Sequence, residues 1–350
     1  MSAPRSRWTV EEAQGWHRRQ PWLVGCNFIP SNAINQLEMW QAETFDIETI
    51  DRELEWASDI GFNAARVFLH DLLWKQDNEG FRSRVDQFLE TASRHGVLVM
   101  FVLFDGVWDP YPALGPQRAT RPHVHNSGWV QSPGAGVLAA ADRHEELEGY
   151  VTGVVQSFRD DDRVLAWDLF NEPDSPNPAY GDRELPDKAE RATALLGRAY
   201  GWAREAGPTQ PITAGVWYGR VQGEDASEIN RMMLSESDVI SFHSYLEAER
   251  VASRIRELKE FERPILLTEY MSRGSGSTFE AVLPLLKEQK VGAFNWGFVS
   301  GKTQTIYPWD SWVREYEGEP DEWFHDVLRA DGTAYRAEEV ELIRGLTGRD

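Results

Sequence analysis

The chain has 350 residues, a formal net charge of −21 and a single cysteine, Cys26. So acidic a surface repels nucleic acid and anionic membranes, and one cysteine excludes an intrachain disulfide. No stretch is long and apolar enough to span a bilayer, and the opening "MSAPRSRWTVEEAQGW" lacks the apolar core of a secretory signal, which points to a cytoplasmic protein with no membrane partner.

Short apolar runs recur along the chain, each followed by a helical pattern. "WLVGCNFI" precedes "DIETIDRELEWASDIG", and "NAARVFL" precedes "RSRVDQFLETASRHG". "VLVMFVLFD" leads through a long loop, Gly106 to Arg143, to "HEELEGYVTGVVQSFRDD". "VLAWDLFNEP" precedes "DKAERATALLGRAYGWAREAG", "PITAGVW" precedes "ASEINRMML", and "VISFHSY" precedes "EAERVASRIRELKEF". "PILLTEY" precedes "STFEAVLPLLKEQK", and "GAFNWGFVSG" is the last run, with its helix in either "DEWFHDVL" or the terminal "AEEVELIRGL". Eight such units predict an α/β fold of the (β/α)₈ TIM barrel class, one catalytic domain over 22–350 with long βα loops, preceded by an N-terminal extension over 1–21. A doubly wound open sheet is the rival. It is disfavoured because the first strand lacks a Gly-rich dinucleotide loop and no linker divides the chain.

In such a barrel, chemistry collects at the C-terminal ends of the strands. The residues unusual for buried strands fall there: Arg66 in "ARVF", Asp105 after "MFVLF", Asn171 and Glu172 after "WDLF", His243 and Tyr245 in "SFHSY", Glu269 in "LLTEY" and Trp296 in "FNWGF". Two carboxylates facing one cleft suit acetal hydrolysis, which needs a proton on the departing oxygen and support for an oxocarbenium-like centre. Glu172 is the expected proton donor and Glu269 the expected nucleophile. Asn171 is placed to bind the sugar's 2-hydroxyl, and Tyr245 and Arg66 to hold Glu269 ionised. His243 orients Glu172 or touches substrate, and Trp296 offers a platform for a pyranose face.

These residues resemble the retaining β-glycosidases with (β/α)₈ barrels, closest to the cellulase-like glycoside hydrolase family 5. The resemblance runs from about Trp22 to Gly301 and is carried by "NEP" at the fourth strand together with Arg66, His243, Tyr245, Glu269 and Trp296. It implies Glu172 as acid/base, Glu269 as nucleophile, retention of anomeric configuration, β-linked glucans, mannans, xylans or smaller glycosides as substrates, and no cofactor. The lack of an evident carbohydrate-binding domain or secretory signal leans toward β-linked oligosaccharides or small glycosides. One position departs from the family: Asp105 stands where a histidine often ends the third strand.

Other residues have two readings. Asn35, Glu38 and Trp40 in the first loop either contact a terminal sugar or pack that loop. Trp108, Tyr111 and Trp129 in the third loop either wall a subsite or pack onto the barrel. His123 and His125 form a bare HxH, better suited to substrate or structural hydrogen bonds than to a metal, since no third ligand lies nearby in sequence. Against the glycosidase stand two readings of other classes. One is a silent carbohydrate-binding barrel, which would misplace or occlude a glutamate. The other is a metal-assisted lyase, which would need an acidic cage. Within the glycosidases, an endo-acting β-glycanase on soluble polysaccharide is the alternative to attack at chain ends.

Overall fold

A computed structural model describes residues 4–349. All eight expected runs form strands: β1 Val24–Asn27, β2 Ala64–Phe68, β3 Leu98–Asp105, β4 Val164–Asn171, β5 Ile212–Thr213, β6 Ile240–His243, β7 Ile265–Tyr270 and β8 Gly292–Asn295. They pair in parallel in the order β5-β4-β3-β2-β1-β8-β7-β6. The remaining seam is narrowed by a parallel bridge between Val216 and Phe242, with His243 N–H donating to Val216 O at 3.0 Å. The sheet is therefore a nearly closed barrel, and helices surround it.

Strand alternation sorts side chains between the barrel interior and the helix layer. On β2, Ala65 and Val67 join the large core under the helices. Ala64 instead joins Met100, Ala166, Leu266 and Phe294 in a plug at the base of the barrel. Trp16, on the helix Val10–Arg19 of the N-terminal segment, closes that plug from below. The inward positions above Ala64 and Ala166 are Arg66 and Asp168, so the same period that fills the base with apolar atoms delivers charge to the top.

Two helical expectations change. The helix expected at 82–96 starts earlier, running Asp71–Arg94 with a kink at Asp77, because His70 caps it by accepting from Leu72 N–H at 3.2 Å. "DEWFHDVL" is irregular, and the last helix is Ala337–Thr347. Phe324 and Val327 donate their N–H groups to Ile306 O (2.8 Å) and Phe298 O (2.9 Å), which pins that segment across the loop after β8. None of the described helices is long and apolar enough to cross a membrane.

Candidate active site

Arg66 is wholly buried and serves as the hub at the top of the barrel. Its Nε and one terminal nitrogen donate to Asp168 Oδ2 at 3.0 and 2.8 Å. The guanidinium also reaches Asn27 Oδ1 (2.8 Å), Glu269 Oε1 (2.9 Å) and Asn171 Oδ1 (2.8 Å). Asp168 and Asn27 were not singled out from sequence. An acid in the middle of "VLAWDLF", inward by alternation, was the available signal for Asp168. Arg66→Met should cost about 3–5 kcal/mol of stability in a denaturant titration, because Asp168 would be left buried and unpaired.

Glu269 reaches the site through an irregularity in β7. The register pairs Phe242 with Leu267 but His243 with Glu269, so Thr268 is an extra residue. Leu267 and Tyr270 consequently both lie in the outer core, which strict alternation forbids. The bulge turns Glu269 inward, where Tyr245 donates its hydroxyl to Oε2 at 2.7 Å.

Glu172 leaves the end of β4 with φ of 40°, a left-handed backbone that is uncommon for a non-glycine residue. The turn brings its carbonyl against Gly106, where a Cβ would sit 2.1 Å from Glu172 O. Only glycine fits there. His243 Nδ1 lies 2.9 Å from Glu172 Oε1 and 3.6 Å from Glu269 Oε2. One oxygen of each glutamate and a ring nitrogen of His243 all fall within 4.8 Å of one another.

Burial sets the protonation states. Desolvation raises the Glu172 carboxyl to about 7, and no hydrogen-bonded cation draws it back. Desolvation also pushes Glu269 up, but the Arg66 charge and the hydrogen bond from the Tyr245 hydroxyl favour its anion. His243 is lowered to about 4 by burial and is neutral at pH 7. Two adjacent acids in such different settings can divide proton donation and nucleophilic attack. Glu172, His243 and Glu269 are also the group of donors that could approach a cation, yet Arg66 and Tyr245 already occupy both oxygens of Glu269.

Asp105 is buried and accepts from Asn171 Nδ2 (3.0 Å), Trp129 Nε1 (2.6 Å), Gln36 Nε2 (3.2 Å) and Val107 N–H (3.1 Å). Desolvation still raises it to about 7. Since Arg66 only donates and Asp105 accepts, the two fix which way the Asn171 amide faces. One Nδ2 hydrogen is left free of these contacts.

The catalytic-end cavity has a volume of about 340 Å³, in the range of small-ligand sites. Glu172, Glu269, Asn171, Tyr245, Trp296, Trp108 and His125 line it, joined by Asn126, Trp217 and Trp309, which sequence reading passed over. Trp309 lies in a loop with no strand end beside it, whereas Trp217 is the last residue of "PITAGVW", directly after the Val216 bridge, and that strand-end position was the available signal. The other loop residues lie elsewhere. Trp129 is buried behind Trp296, the ring centroids 5.9 Å apart. Trp40 is fully buried among Phe45, Phe81 and Phe88, its Nε1 donating to Phe68 O. Asn35 caps the helix Gln36–Trp40 and donates to Gly128 O at 2.8 Å, while Glu38 pairs with Lys302 at 2.6 Å. Tyr111 is exposed with its hydroxyl on Arg183 O, and His123 Nδ1 is 2.6 Å from Tyr316 O. His125 Nδ1 contacts Tyr307 O at 2.8 Å.

Residues 30–301 match the family described as Cellulase (glycosyl hydrolase family 5). No curated protein matches the chain by sequence. Similar solved structures include GH5_18 from Streptomyces cattleya in complex with GlcNAc, at 15% identity and TM-score 0.62, covering 99% of this chain and 82% of that one. An exo-beta-1,4-mannosidase from Opitutaceae bacterium strain TAV5 is 17% identical with TM-score 0.63, covering 93% and 60%. The hyperthermostable endo-1,4-beta-D-mannanase from Thermotoga petrophila RKU-1 is 16% identical with TM-score 0.55, covering 93% and 99%.

Proposed function

Because the chain belongs to glycosyl hydrolase family 5, and so is a glycoside hydrolase acting on β-linked sugars, we propose that it works by double displacement, with Glu269 as nucleophile and Glu172 as acid/base. The observation that carries this reading is the approach of the two carboxylates, whose oxygens come within 4.8 Å around His243. Retaining enzymes keep their carboxyl groups about 5–5.5 Å apart, while inverting ones leave about 6.5–9.5 Å for a water. Glu172 protonates the departing oxygen as Glu269 attacks the anomeric carbon. Once Glu269 is esterified its charge is gone, and Glu172 can take a proton from the incoming water. The free Nδ2 hydrogen of Asn171 suits the 2-hydroxyl of a ring resting on Trp296. Proton NMR of the first-formed product tests the stereochemistry: the β-anomer is expected, and an initial α-anomer would refute double displacement.

Attack at a chain end or on short glycosides is the second part of the proposal. Its support is a wall on one side of the cleft, built from three loops. Asn126 N–H donates to Thr303 O (2.8 Å), His125 N–H to Ser311 Oγ (2.9 Å) and Asn35 Nδ2 to Gly128 O (2.8 Å), and Glu38 pairs with Lys302. The first and third loops are thus tied to each other and to the segment after β8. Time courses on end-labelled β-linked oligosaccharides and a soluble polymer should show stepwise release of mono- or disaccharide. Early mixed-length fragments with a rapid fall in viscosity would establish endo action instead. A panel of aryl β-glycosides should include the mannoside, given the mannosidase among the similar structures.

A further inference from the structure

Five histidines are buried, and each bonds one ring nitrogen within the protein. In four of them the second nitrogen is unpartnered and sealed off: His70 Nε2, His144 Nδ1, His243 Nε2 and His325 Nε2. His125 differs. Its Nε2 also has no partner among the described residues, yet that nitrogen is not sealed, and the residue lines the cavity that holds Glu172 and Glu269. His125 is only 2% exposed, so the open nitrogen lies on the face it presents to that cavity.

The other ring nitrogen fixes what Nε2 can do. His125 Nδ1 lies 2.8 Å from Tyr307 O, and a carbonyl only accepts, so Nδ1 carries the hydrogen. Burial lowers the ring to about 4, so it is neutral at pH 7 and Nε2 keeps a lone pair with no hydrogen. Neighbours hold the ring in place. The His125 N–H donates to Ser311 Oγ at 2.9 Å, and the ring packs against Trp309 and His325 with centroids 6.4 and 5.3 Å away. Both of those rings pack in turn against Tyr245, at 4.9 and 5.5 Å, and the Tyr245 hydroxyl donates to Glu269. His125 thus stands one aromatic layer from the tyrosine bound to the carboxylate assigned to attack the sugar.

We infer that His125 is a specificity-determining residue whose Nε2 accepts a hydrogen bond from one hydroxyl of the sugar bound against Glu269. A fixed lone pair is more selective than a hydroxyl or an amide, because it takes a donor only. A ring carrying hydrogen, fluorine or an ether oxygen at that position leaves Nε2 desolvated and unpaired, which is how a polar site rejects a near-isostere. The inference rests on the glycosidase reading for the ligand being a sugar, and goes beyond it by fixing the sense of one contact.

The test is calorimetric titration with phenyl 1-thio-β-mannoside and phenyl 1-thio-β-glucoside, whose sulfur link resists hydrolysis. Analogues with each glycone hydroxyl replaced in turn by hydrogen or by fluorine complete the set. For the tighter-binding sugar, wild type should show a position at which hydrogen and fluorine both weaken binding by about tenfold, since fluorine cannot donate. His125→Asn removes Nε2 while its amide keeps a donor for Tyr307 O. It should bind the parent about tenfold more weakly and lose discrimination at that one position, the others staying as in wild type. His125→Phe preserves the packing against Trp309 and serves if the asparagine variant folds poorly. Four results would overturn the assignment: wild-type discrimination kept at every position by the variant, equal weakening of parent and all analogues, fluorine restoring wild-type binding at the affected position, or no binding of either parent. Hydrolysis of aryl β-glycosides is scored separately. Its absence would refute the glycosidase reading, while the binding pattern still decides the role of His125.

Discussion

If the proposed double displacement holds, replacing Glu269 by alanine should lower kcat by about 10⁴-fold or more while leaving a folded protein, because it removes the group assigned to form the glycosyl-enzyme bond. Arg66 would keep its two contacts to Asp168 and those to Asn27 and Asn171, so the buried cation is not stranded. Added azide provides the sharper readout. In the space vacated between Tyr245 and Arg66, this small anion can attack the anomeric carbon from the face Glu269 would have used. The bond to the leaving group breaks as the carbon–nitrogen bond forms, giving a glycosyl azide of inverted, α configuration from an activated β-glycoside. Full activity in the alanine variant, or azide rescue yielding the β-glycosyl azide, would remove Glu269 from the role of nucleophile.

Removing Glu172 should divide substrates by leaving group. Glu172→Gln cannot protonate the departing oxygen, so glycosides with poor leaving groups should lose about 10²–10⁴-fold, while aryl glycosides with acidic phenols should keep much of their first step. The pH profile supplies an independent check. Burial holds the Glu172 carboxyl at about 7. The proton needed for catalysis is therefore present below that pH and lost above it, so kcat/KM for poor leaving groups should fall as pH rises through about 7. In Glu172→Gln that alkaline limb should vanish. Equal losses across all leaving groups, or an unchanged alkaline limb, would rule out Glu172 as the acid.

The barrel and the ring of polar side chains at its mouth were legible along the chain because each depends on local pattern. Eight apolar runs, each followed by a helical period, leave a chain of this size few ways to bury its strands. Polar residues such as Arg66, Asn171 and Glu172 stand out at strand ends because burial selects against them. Asp105 was visible as a departure, and the structure gives it a use: it accepts four hydrogen bonds and sets the Asn171 amide.

What the chain could not disclose by itself depends on contacts distant in sequence or on backbone register. Alternation through "ILLTEY" would turn Glu269 outward, and only pairing with β6 and β8 shows the extra residue that aims it at His243. The left-handed turn at Glu172 is held by the approach of Gly106, 66 residues upstream. First-loop residues that looked ready to meet a sugar were recruited elsewhere, Trp40 to the core and Asn35 and Glu38 to loop ties, since an aromatic or amide in a loop carries no local sign of which surface it will cover. The segment after β8 contributes Trp309 to the cavity and anchors the third loop, a role decided by folding back across the barrel mouth. Local composition and period determine which elements form and which end of the barrel gathers charge; register, bulges and loop docking determine which of those side chains face one another.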